Sequence, residues 1–136
     1  MTLTTKEKLQ ETIAAELGDA IFYRRMADMT EDESARKLLA ELSSDEQRHA
    51  DMFGRIYKAM FGKVYLPQAP EHDFSKSFDE LLRRRVLSES ADFRKYALDW
   101  LSPSANRMLR DACFRASVDE NVHALTVLCL LDQMKK

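Results

Sequence analysis

Glycine and proline are scarce, with three of each in 136 residues. Strands, tight turns and irregular loops draw on both, so a chain this poor in breakers reads as long helices rather than a β-rich fold. Cysteine is scarce too. Cys113 and Cys129 form no Cys-x-x-Cys pair and fit neither a metal nor a redox spacing, so both are expected to act as small buried hydrophobes. No apolar run reaches the length needed to span a bilayer, and no apolar signal segment opens the sequence. The expectation is a cytoplasmic protein with no membrane contact. Basic charge is not in excess: the net charge is −2, which excludes a general footprint for nucleic acid. The densest basic run, Arg83-Arg84-Arg85, reads as a solvated helix face.

What is present suits helices. The chain is 45% hydrophobic and 32% charged, and its length fits one domain with a real core. Thr4 and Glu7 read as a capping box opening a helix that runs to about Met29, with Leu9, Ile13, Leu17, Ala20 and Ala27 at spacings of three and four. Thr30-Glu31-Asp32-Glu33 reads as a second box. The helix after it carries Leu38, Leu39, Leu42, His49, Phe53 and Ile56 on one stripe and stops near Gly62. Residues 63–74, with Pro67 and Pro70, read as an extended crossover, and His72 within it as a surface histidine. Ser77 and Glu80 open a third helix, which runs to about Leu101. Ser102-Pro103 starts a fourth, covering Ala105 to Met134. Two helical hairpins, 4–62 and 75–134, joined by a long crossover, make an all-α four-helix bundle in one domain.

The halves repeat. Asp45-Glu46-Gln47-Arg48-His49-Ala50 returns in outline as Asp119-Glu120-Asn121-Val122-His123-Ala124. On a helix, residues three apart share a face, so Glu46 with His49 and Glu120 with His123 form two pincers. Upstream, Glu16, Asp19 and Tyr23 recur as Glu89, Asp92 and Tyr96. Gly18 and Ala91 follow the two upstream glutamates and are small enough to let neighbouring helices approach. Glu16 lies on the same stripe as Ile13 and Ala20, where a helix should bury leucine. A buried lone carboxylate costs several kcal/mol, but two divalent cations balance four glutamates and two imidazoles complete the donor set. Oxygen and nitrogen donors without thiolate suit iron or manganese.

These paired motifs resemble the ferritin-like di-metal carboxylate proteins, most closely the rubrerythrin-like branch, over nearly the whole chain. The resemblance implies a ferritin-like bundle holding two iron ions, with manganese possible. Its ligands would be Glu16, Glu46, His49, Glu89, Glu120 and His123, with Glu46 and Glu120 bridging. Asp45 and Asp119 would accept from the ligand histidines, and Arg48 completes an Asp-Glu-x-Arg-His form seen in di-iron oxygenases. Tyr23 and Tyr96 would bond to the glutamates; core filling is the competing reading. Asp92 stands where rubrerythrins carry an extra glutamate, and Asp19 at the matching place in the first half. Both are too short for ready ligation but suited to relaying protons. The four-cysteine rubredoxin-type module of rubrerythrins is absent here. The implied activity is reduction of hydrogen peroxide with an external, rubredoxin-like electron donor, in a homodimer. Ferroxidase chemistry with O2, di-manganese catalase chemistry and a metal-free helical adaptor are the alternatives.

Overall fold

A computed structural model describes residues 3–102 and 106–135. Four helices make up most of them: α1 (Thr5–Met29), α2 (Glu33–Phe61), α3 (Phe78–Trp100) and α4 (Arg107–Met134). Each start is set by a side chain that satisfies an otherwise orphaned backbone N–H. Thr4 Oγ1 accepts from Glu7 N at 3.1 Å, and Ser77 Oγ accepts from Glu80 N at 3.2 Å, as the capping pattern requires. The second cap differs from the expected box. Asp32 is the N-cap, accepting from Ser34 N and Ala35 N, while Thr30 closes α1 and accepts from Asp32 N. A carboxylate two residues nearer the helix takes the place of the threonine. Asn106 caps α4, its side chain accepting from Leu109 N at 2.8 Å. Pro103 and Ala105, the expected start of that helix, lie outside the described residues. Gly62 ends α2 at φ 74°, a left-handed conformation that glycine adopts without Cβ strain.

The chain forms two compact units, Met1–His72 and Asp73–Lys136. In the first, α1 packs along α2; in the second, α3 packs along α4. The buried positions of α1 include Leu9, Ile13, Glu16, Ala20, Tyr23 and Ala27, and those of α2 include Leu39, Leu42, Glu46, His49, Phe53 and Ile56. Spacings of three and four keep each set on one face, and the glutamates occupy leucine positions within it. Leu17 and Leu38 lie at the margins and are only partly buried. Ser43 Oγ donates to the Ala20 carbonyl at 2.6 Å, pinning α2 to α1 about one turn from Glu46 and Glu16.

The proline-rich segment after Gly62 folds back on the first unit. A Cβ at Gly18 would lie 3.1 Å from Pro70 Cδ and 3.6 Å from His72 Nε2. The small residue therefore admits this segment rather than a neighbouring helix, and Ala91, its counterpart, is exposed. His72 is not a free surface histidine either. Its ring sits 5.0 Å from the Phe22 ring, and its Nε2 lies 3.7 Å from Asp19 Oδ1. Among the described residues, no helix is long and apolar enough to cross a membrane.

Candidate metal centre

Within the first unit, α1 supplies Glu16 and α2 supplies Glu46 and His49. The i, i+3 spacing of the last two puts them one turn apart on the face that meets α1. All three are buried, with Glu46 fully so. His49 Nδ1 lies 3.5 Å from Glu16 Oε2 and 3.5 Å from Glu46 Oε1. The second unit repeats the arrangement: His123 Nδ1 lies 3.6 Å from Glu89 Oε2 and 3.3 Å from Glu120 Oε1. Each triad offers one donor atom per residue, all within 4.8 Å of one another.

The donor atoms argue for a cation. Glu16 Oε2, both oxygens of Glu46, Glu89 Oε2, both oxygens of Glu120, His49 Nδ1 and His123 Nδ1 are buried without a hydrogen bond. A protein interior satisfies nearly all of its buried polar atoms, because each one left over costs about 1–3 kcal/mol. Eight such atoms gathered on two matching triads make a site suited to a cation. Carboxylate oxygen and imidazole nitrogen fit iron or manganese, so the residues present suit the metal pair that the sequence pattern implies.

One cation is already there. Arg85 is 6% exposed, and its Nη2 donates to Glu89 Oε1 at 3.0 Å from one turn earlier on α3. Burial raises the Glu89 carboxyl, but His123, the Arg85 guanidinium and Glu120 outweigh it and hold the group down at about 2. The Arg83-Arg84-Arg85 run is thus divided. Arg83 and Arg84 are exposed and face Glu80 at 3.9 and 3.3 Å, while the third arginine turns inward. The sequence carried a signal for this: Leu82, Arg85 and Glu89 share the buried stripe of α3.

The other candidate residues are spread around the triads. Tyr23 and Tyr96 are both buried, and Tyr23 packs edge-on against Phe22. Asp19 is buried beside His72, whereas Asp92, one turn after Glu89, is only partly buried. Asp45 is partly buried and ion-paired with the exposed Arg48; Asp119 is partly buried. Cys113 is buried, but Cys129 is exposed, contrary to the expectation that both would be core. The outer face of α4 is unusually apolar, so composition alone did not mark which cysteine points inward.

A family model described as Rubrerythrin matches residues 7–124. An uncharacterized protein, YhjR, of Bacillus subtilis (strain 168) is 28% identical over 126 residues, which cover 90% of this chain and 83% of that protein. No solved structure matches.

Proposed function

The chain belongs to the rubrerythrin family, all-α and ferritin-like, and on that premise we propose that it is a cytoplasmic di-iron oxidoreductase that reduces hydrogen peroxide to water. The observation that carries this reading is the pair of buried Glu-Glu-His triads, each with donor atoms within 4.8 Å of one another. Glu16, Glu46 and His49 would hold one ion, and Glu89, Glu120 and His123 the other. Iron, when bound there, supplies two electrons and Lewis acidity for cleavage of the O–O bond.

The chain's own part is to hold, to exclude water and to deliver protons. Reduction of one peroxide consumes two electrons and two protons and yields two waters. Asp19 stands one turn after Glu16 with His72 beside it, and His72 is partly open to solvent. That pair is the proposed proton entry on the first unit; Asp92 is its counterpart on the second. Tyr23, Leu39, Phe53, Leu82 and Val127 are at most 1% exposed and keep bulk water from the reacting oxygens. These 136 residues hold two cysteines, too few for a four-cysteine iron module, and the proposed source of electrons is a rubredoxin-like donor.

Stopped-flow mixing of the ferrous-loaded protein with peroxide and with O2 tests the reading. Oxidation by peroxide far faster than by O2 supports it. The reverse order assigns the site to ferroxidase chemistry instead, and oxygen evolved from peroxide without a reductant assigns it to catalase chemistry.

A further inference from the structure

The six candidate ligands repeat faithfully between the two halves, but their surroundings do not. Four residues before Glu89 stands Arg85, buried and donating to Glu89 Oε1 at 3.0 Å. Four residues before Glu16, the matching place in the first half, stands Thr12, also buried but uncharged. Of these two matching places, one carries a cation and the other does not. Resting on the metal-centre reading above, we infer that Arg85 makes the two metal positions unequal: the Glu16–Glu46–His49 position fills first and tightly, and the Glu89–Glu120–His123 position fills second and more weakly.

Two effects of Arg85 act in the same direction. The guanidinium engages Oε1, so Glu89 faces His123 with Oε2, the oxygen 3.6 Å from Nδ1. Its positive charge also repels an incoming divalent ion, and the repulsion scales with the product of the charges, twice that between two monovalent groups. A third effect opposes them: a hydrogen bond that fixes Glu89 in place spares some ordering cost when metal binds. One bond restrains one side chain, whereas the charge acts on every configuration of the bound ion, so repulsion wins.

Titration of the metal-free full-length protein with Co2+, followed by calorimetry and by the visible bands of the bound ion, reads the two positions without any turnover. The parent protein is expected to show two steps, with dissociation constants at least about tenfold apart. His123→Ala should remove the weaker step and His49→Ala the tighter one. Arg85→Gln should tighten the weaker step by about tenfold or more and leave the tighter one in place, while Arg85→Lys, which keeps the charge, should preserve the separation. Far-UV circular dichroism confirms that each variant is folded, and if Arg85→Gln fails to fold, the histidine variants still decide the order. Two equivalent ions in the parent, loss of the tighter step in His123→Ala, or an unchanged gap in Arg85→Gln would overturn the inference while leaving the metal-centre reading intact. Absence of any Co2+ binding by the parent would overturn both.

Discussion

Both oxygens of Glu120 are buried without a hydrogen bond, and the nearest ring nitrogen is His123 Nδ1, 3.3 Å from one of them. Such a group is a liability in the metal-free chain and an asset once a cation arrives. Glu120→Gln removes the charge and keeps the shape, so the metal-free variant should be more stable than the metal-free parent by ~1–3 kcal/mol. It should also lose the gain in melting temperature that metal confers on the parent. Urea unfolding of both proteins, with and without metal, measures this; a less stable metal-free variant that still gains from metal would contradict it. The cysteines give a second residue-scale test. Burial, helped by the nearby charge of Asp99 and only partly opposed by Lys95, pushes the Cys113 thiol up from 9.0 to about 12. The folded chain therefore keeps this proton where the unfolded chain releases it. Its contribution to stability is complete below pH 9 and declines as pH rises from 9 towards 12. At pH 8, a thiol reagent should label Cys129 promptly and Cys113 only on unfolding; fast labelling of two thiols per chain would refute this.

At the scale of the element, the helices were readable because their signals are local. Thr4, Ser77 and Gly62 mark boundaries through their own hydrogen bonds and backbone preference, and the structure places them as caps. The Glu and His positions were readable because a spacing of three fixes a shared face whatever the rest of the chain does. Arg85 was misread because a run of like charge suggests solvent, although its place between Leu82 and Glu89 suggests the interior. His72 was misread for another reason: the path of an extended segment depends on what it packs against, and no periodicity encodes that. The fit at Gly18 makes the path testable. Gly18→Leu should push Pro70 and His72 off α1, so residues 63–72 become sensitive to limited proteolysis while helix content holds. An unchanged cleavage pattern would show that the segment does not depend on this contact. On α4, Phe114, Val118, Val122 and Leu125 form an exposed apolar stripe, which supports the proposed homodimer. Val122→Glu with Leu125→Glu should then sediment as a folded monomer and the parent as a dimer, and a monomeric parent would remove the proposal.

At the scale of the whole molecule, a modest chain places ionisable side chains where leucine would be more stabilising, twice over. Four buried glutamates and two buried histidines make sense together if each triad surrounds a cation, and none of them makes sense as packing alone. Ligand binding to the folded chain only should therefore raise its stability, by about 2.7 kcal/mol at a hundredfold excess over the dissociation constant. The most direct test is an anomalous-difference map from crystals of the iron-loaded protein. Two peaks are expected, one bonded to Glu16, Glu46 and His49 and the other to Glu89, Glu120 and His123. A map without peaks at these residues, with their side chains turned to solvent and an apolar interior in their place, would contradict the account.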